Sequence, residues 1–166
     1  MTDAVPADQA PGVAWPADES DDFTTFGAGW ARCTIDGREY KLRRPMIGEL
    51  RALRVALEAV EDEIAEVRQA LERTTEKVNQ DIIDSADDPI EKRQARQQEA
   101  RLEIREANHR VLEVADGARL GWWRQVFETL GVSRPKVPED WPAWILDPDG
   151  PSRLVNHWRD NPLARG

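Results

Sequence analysis

The sequence has few of the residues from which disulfides, metal sites and many active sites are built. Its 166 residues include one cysteine, Cys33, and two histidines, His109 and His157. One cysteine excludes an internal disulfide, and with two distant histidines it cannot form a closed Cys/His zinc site. The lone cysteine also favours a reducing cytosol. No apolar run approaches the roughly 18 residues of a membrane span, and the first residues lack the basic and apolar segments of a secretory signal.

Catalytic motifs are missing as well. The sequence contains no phosphate-binding Gly-Lys-Ser/Thr loop, no Gly-x-Ser-x-Gly elbow and no His-Glu-x-x-His pair. We interpret His109 and His157 as structural, and the adjacent acids Glu61 and Asp62 as part of a solvated, charged helix face. The sequence therefore predicts no enzyme, no catalytic residue, no cofactor and no metal.

Positive charge is scarce too. The chain has 32 acidic and 23 basic side chains, a net charge of −9, and six of the acids fall in residues 1–28, which contain no base. A nucleic-acid-binding protein normally has a basic stripe with aromatic residues in it, because phosphate contacts supply most of its affinity. No such stripe is present, so we predict neither a nucleic-acid nor a membrane partner. The near balance of charge in the rest of the chain also argues against an acidic mimic of nucleic acid.

Residues 1–28 are predicted to form a disordered acidic arm. They mix Pro, Ala, Asp, Gly and Ser without apolar periodicity, so they bury too little surface to offset the entropy of ordering. Trp15 in this arm is either a docking anchor or an isolated exposed aromatic.

A short β-hairpin is predicted at residues 29–44. Its turn is Asp36-Gly37, a pair typical of the type I′ turn, in which both central residues have positive φ. One face of the hairpin is mostly apolar, and because an isolated two-stranded hairpin is marginal in water, either the helices or a second subunit is expected to cover it. The predicted register pairs Ile35 with Arg38, Cys33 with Tyr40 and Ala31 with Leu42 on one face, and Thr34 with Glu39, Arg32 with Lys41 and Trp30 with Arg43 on the other.

A long antiparallel helical hairpin is predicted at residues 45–131. Pro45 suits the first turn of its first helix, Pro89 opens its second helix, and Gly131 ends that helix as a C′ glycine. In the first helix, apolar residues alternate at steps of three and four, as in a coiled coil. This helical seam consists of Leu50, Leu53, Leu57, Val60, Ile64, Val67 and Leu71. Its partner lies either within the chain or in another copy.

The C-terminal segment, residues 132–166, is rich in tryptophan and proline. Four prolines within residues 138–151 break it, so we predict two short amphipathic helices, at 139–146 and 151–160. Two alternatives remain for its aromatic residues. Together with Trp122 and Trp123 they form a local core, or they bind a partner, because tryptophan is enriched in binding hot spots. In the second case the predicted anchors are Trp141, Trp144, Leu154 and Trp158.

Two segments carry a resemblance to a known family. The stretch "IDGREYKLRRPMIGELRALR" and the ending "WWRQVFETLG…PEDWPAWILDPDGPSRLVNHWRDNPLARG" resemble the tail assembly chaperones of long-tailed actinobacteriophages. The resemblance covers about residues 30–60 and 120–166.

The resemblance implies a non-virion factor that acts in the host cytoplasm. Such a chaperone binds the tape measure protein, keeps it soluble and helps the tail tube protein polymerise around it. The rival hypothesis is a coiled-coil structural or adaptor protein, a virion component among the options, that forms homo-oligomers through the Leu50–Leu71 seam. From the residues alone, the expected fold is mainly α, with a disordered acidic arm, a short β-hairpin, a long coiled-coil-like helical hairpin and a tail of short helices.

Overall fold

The computed structural model describes residues 26–27, 30–132 and 135–160. The predicted mainly helical fold is confirmed. The predicted acidic arm, with Trp15, lies outside the described residues except for its last part, where Phe26–Gly27 form a strand. In chain order the elements are strands β1 (Phe26–Gly27), β2 (Trp30–Ile35) and β3 (Arg38–Arg43), helices α1 (Ile47–Asp84) and α2 (Ile90–Leu130), a 3-10 helix (Ala143–Leu146) and α3 (Gly150–Asp160).

The chain divides into two compact units, and both long helices contribute to each. The first unit comprises the chain up to Glu58 and from Arg119 onward, and so holds the sheet and the C-terminal segment. The second comprises Ala59–Ala118, where α1 and α2 follow one another as an antiparallel hairpin. None of the helices in the described ranges has a stretch long and apolar enough to cross a membrane.

The sheet has the order β1-β2-β3, with antiparallel pairing throughout. All six predicted pairs between β2 and β3 are present, and Asp36 and Gly37 have φ of 48° and 69°, as a type I′ turn requires. The short strand β1 was not predicted, and it pairs with the start of β2. Phe26–Gly27, which the sequence placed in the arm, therefore belong to the sheet.

The predicted apolar face of the hairpin is buried. Cys33, Ile35, Tyr40 and Leu42 are each at most 3 % exposed. On the opposite face Arg32 and Glu39 form an exposed ion pair of 3.3 Å. The end of α2 covers the buried face: the ring of Tyr40 meets that of Phe127 edge-on at 5.9 Å. The cover is therefore supplied within the chain, which was one of the two options left open by the sequence.

Helix α1 begins later than the sequence suggested. Pro45 was expected in its first turn, but the helix starts at Ile47, and its first hydrogen bond runs from the Leu50 amide to the Met46 carbonyl oxygen at 2.9 Å. The physical reason is Glu49, whose Oε2 accepts a hydrogen bond from the Met46 amide at 2.9 Å. This contact makes Met46 the N-cap, in the manner of a capping box.

Helix α2 ends immediately before Gly131, as predicted, but the glycine is needed for a reason other than left-handed φ. Among the described glycines only Gly37 has positive φ. Gly131 instead pairs with Leu42 at the free edge of β3, while the Val132 amide donates to the Lys41 carbonyl at 2.9 Å. An added Cβ would clash with the Phe127 carbonyl oxygen and lie 2.9 Å from that of Lys136.

We expect Gly131→Ala to lower the free energy of unfolding by about 1 to 3 kcal/mol, because backbone atoms on both sides leave no room for a methyl group. Gly117→Ala is the matched control. Nothing lies within 4 Å of a Cβ at Gly117, so alanine there should raise stability by up to about 1 kcal/mol through helix propensity. Urea unfolding measures both, and equal effects of the two substitutions would contradict the steric account.

The first predicted tail helix is shorter than expected. Instead of residues 139–146, only the 3-10 helix Ala143–Leu146 forms. Pro142 precedes it in an extended conformation, with φ −72° and ψ 158°, and a residue before proline, here Trp141, is disfavoured in the helical region. The second predicted helix, 151–160, is observed as Gly150–Asp160, one residue longer.

Candidate interaction surfaces

Aromatic side chains of β3, α2 and the C-terminal segment form a core in the first unit. Trp122, Trp123 and Phe127 in α2 are at most 2 % exposed. The Trp122 indole donates a hydrogen bond from Nε1 to the Leu53 carbonyl oxygen of α1 at 3.0 Å. Trp123 meets Trp122 and Trp144 edge-to-face at 5.1 and 5.5 Å, and Phe127 meets Trp141 at 5.2 Å. Edge-to-face geometry adds to the burial of the rings. Trp141 and Trp144 of the C-terminal segment are therefore packed onto α2.

The predicted partner-binding anchors belong to this packing. Trp144, Leu154 and Trp158 are 4 %, 0 % and 4 % exposed, and Trp141 is half-buried. In α3 the residues Pro151, Leu154, Val155 and Trp158 are all buried, as the spacing of one apolar helix face requires. This burial favours the local core over the partner-binding alternative. Binding by these side chains stays a prediction, and it requires that the segment first leave the core.

Arg43 joins three elements, and sequence reasoning missed it. Its Nη1 and Nη2 donate to both oxygens of Glu49 at 2.8 and 2.6 Å. Nη2 also donates to the Thr129 carbonyl oxygen at 3.1 Å, in the last turn of α2. The side chain thus links the end of β3 to the start of α1 and satisfies a terminal carbonyl of α2. The available signal was Glu49 itself, three residues after the N-cap position.

The Arg43 guanidinium, with the Met46 amide, lowers the pKa of Glu49 to about 2. Because the folded-state pKa lies below the ordinary value of about 4.3, this contact stabilises the fold above pH 4.3. Its contribution is lost as the pH falls toward 2. We expect Glu49→Gln to cost about 1 kcal/mol at pH 7, the upper part of the range for partly exposed pairs, and progressively less below pH 4.

Urea unfolding of wild type and Glu49→Gln between pH 7 and pH 2 measures this dependence. Glu58→Gln, an exposed acid on the same helix, controls for the loss of one charge. A cost for Glu49→Gln that stays constant over that pH range would contradict the ion-pair account.

The helical seam is only partly covered. Leu53 and Ile64 are 1 % and 7 % exposed, whereas the other five residues of the seam are half-buried. In the second unit Val67 and Leu71 share a groove with Ala107 and Val111 of α2. The seam therefore packs within the chain, but two helices alone do not enclose it.

Several large apolar side chains point to solvent. On the two long helices Val55, Ile83, Ile90, Leu102 and Leu112 are each 60 % exposed or more. Single exposed apolar residues of this kind are ordinary on protein surfaces.

Near the turn of the helical hairpin an ion-pair network joins the two helices. Arg96 of α2 forms ion pairs with Asp81 of α1, with Glu99 at 2.7 Å and with Glu103 at 3.5 Å. The carboxylates, Glu99 foremost, raise the pKa of Arg96. Because the guanidinium at this position has acidic partners on both helices, the network favours one alignment of α1 against α2.

The described residues contain no group of three His, Cys, Asp or Glu side chains that is placed to hold a metal ion. His109 is exposed and lies 3.6 Å from Glu113. The comparisons with protein-family models, with curated proteins and with solved structures find no match to this chain.

Proposed function

We propose that this protein is a tail assembly chaperone of a long-tailed bacteriophage, which acts in the host cytoplasm. It binds the tape measure protein, keeps it soluble, and promotes polymerisation of the tail tube protein around it. The proposal assigns no catalytic residue and no cofactor. The resemblance of residues 30–60 and 120–166 suggests the class, and the incompletely covered helical hairpin is the observation that carries it.

A chaperone of this kind needs extended apolar surface more than it needs a pocket. The hairpin offers half-buried seam residues and exposed side chains such as Leu102 and Leu112. Its abundant charge keeps such a surface in solution when no client is bound. The compact aromatic core of the first unit supports this role by holding the two long helices together, through contacts such as that between Trp122 and Leu53.

The proposal is tested by producing the tape measure protein of the same phage alone and together with this chain. We expect the tape measure protein to be mostly insoluble alone, and to become soluble and co-purify with this chain. An unrelated acidic helical hairpin protein, produced at the same level, is the control. Equal solubility with that control, or no co-purification, would contradict the proposal.

A coiled-coil structural or adaptor protein is the second candidate. It is favoured by the five half-buried residues of the seam, since self-association would cover them. Under this alternative, light scattering should show a stable homo-oligomer at micromolar concentration, and the protein should be present in purified virions. Under the chaperone proposal it is absent from virions.

A further inference from the structure

The second unit contains an open groove between α1 and α2. Its floor is apolar, and its volume is about 550 Å³, whereas packed interiors leave few voids larger than one water molecule. A space of this size is too large to be a void left by imperfect packing, so we treat it as a groove on the surface of the helix pair. Its lining consists of Glu66, Val67, Ala70, Leu71 and Thr74 from α1, and Glu103, Glu106, Ala107, Arg110 and Val111 from α2.

The size of the groove suits one helix. From Glu66 to Thr74 it follows about two turns of α1, or roughly 12 Å. A helix placed along it would set the side chains of one apolar stripe, at i, i+3 or i+4, and i+7, over Val67, Leu71 and Val111. This is the helix-in-groove mode of recognition.

The charged residues on the rim of the groove indicate which charge its occupant should carry. Three carboxylates and one guanidinium stand on it. Glu103 is already paired with Arg96, whereas no ion pair within the described residues involves Glu66 or Glu106. The whole unit Ala59–Ala118 has 16 acidic and nine basic side chains, and therefore a net charge of −7. Acidic rims around an apolar floor favour a helix with an apolar stripe and basic flanks.

The same charge argues against a second copy in the groove. Two hairpins laid side by side would bring two units of charge −7 together, and the repulsion would oppose the apolar contact. We propose that this groove binds a basic amphipathic α-helix of another protein. This inference rests on the proposed function for the identity of the partner, which is a segment of the client. The chemistry of that segment is inferred from the groove alone.

A fluorescein-labelled peptide serves as the probe. It has about 18 residues, enough for a stable helix, with leucines along one face and lysines on both sides of that face. Fluorescence anisotropy at 0.15 M salt measures its binding to the full chain. We expect saturable binding, and none by a peptide in which glutamates replace the lysines. Binding of both peptides, or of neither, would overturn the inference.

Two pairs of variants locate the binding. Ala70 lies in the groove, and Ala65 lies outside it on the same helix; both are exposed, so tryptophan at either position should leave the fold intact. We expect Ala70→Trp to weaken peptide binding about tenfold or more by filling the groove, and Ala65→Trp to change it less than twofold. Equal effects would overturn the inference.

Two double variants distinguish charge complementarity at the groove from a general attraction between an acidic protein and a basic peptide. Glu66→Gln with Glu106→Gln removes two carboxylates from the rim, and Glu58→Gln with Asp87→Asn removes two exposed carboxylates at least eight residues away from the groove along the chain. The Debye length at this salt is about 8 Å, so only the first pair should weaken binding, by about fivefold or more. Equal weakening by both pairs would show non-specific attraction and overturn the inference.

The oligomeric state supplies the remaining outcome. If light scattering shows a dimer that Ala70→Trp dissociates and Ala65→Trp does not, a second copy occupies the groove and the inference is wrong. Peptide binding without any effect of the chain on the tape measure protein would remove the proposed function but leave the groove assignment standing. Solubilisation of the tape measure protein with no peptide binding would do the reverse.

Discussion

Replacing Trp144 with alanine is expected to lower the free energy of unfolding by about 3 to 5 kcal/mol. The indole is 4 % exposed and meets Trp123 edge-to-face at 5.5 Å, so truncation leaves a large cavity in the aromatic core. For a chain of this size such a loss corresponds to a fall in Tm of roughly 10 °C. Thermal and urea unfolding, followed by circular dichroism and tryptophan fluorescence, measure it.

Leu146→Ala is the matched control in the same segment. Leu146 ends the 3-10 helix and is 38 % exposed, so its truncation should cost about 1 kcal/mol or less. Co-purification with the tape measure protein is measured in parallel. If Trp144→Ala keeps its stability but loses capture of the client, the C-terminal segment is a binding surface and the assignment of Trp144 to the core is wrong.

Replacing Ile64 with aspartate is the second substitution for which we expect a large effect. Ile64 is the most deeply buried residue of the seam within the second unit, at 7 % exposure. A carboxylate at this buried position must either lose most of its hydration or take up a proton. We expect a loss of about 3 to 5 kcal/mol at pH 7, and a fall in helical circular dichroism as the hairpin opens.

Ala65→Asp places the same charge one residue further along α1, on an exposed position. It should change stability by about 0.5 kcal/mol or less. Because burial raises the pKa of a carboxyl group, the difference between the two variants should shrink as the pH falls below 5. If Ile64→Asp has the same helical circular dichroism and the same mass in solution as the wild type at pH 7, the seam is not a packed surface.

The sequence predicted a turn or a helix end well where one or two residues with special backbone preferences stand at that point. Asp36-Gly37 predicted a type I′ turn. Because this turn has two residues, it fixes the register of every pair from Ile35–Arg38 to Trp30–Arg43. The start of α2 was predicted within one residue, since the proline at 89 suits a helix N-terminus. The helix start that is set by a capping side chain was predicted less well. The start of α1 depends on Glu49, which also binds Arg43.

The types of element, the hairpin register and the two long helices follow from the sequence alone, because they depend on interactions between residues close along the chain. Where each set of apolar residues packs is known only from the tertiary structure. That structure packs Trp144 against Trp123 of α2, buries Trp158 and leaves part of the Leu50–Leu71 seam open. It also requires glycine at position 131, because the backbone of Phe127 and Lys136 leaves no room for a Cβ. Periodicity shows which face of a helix is apolar. What covers that face depends on contacts between residues far apart in sequence, and the periodicity of one helix does not indicate which residues those are.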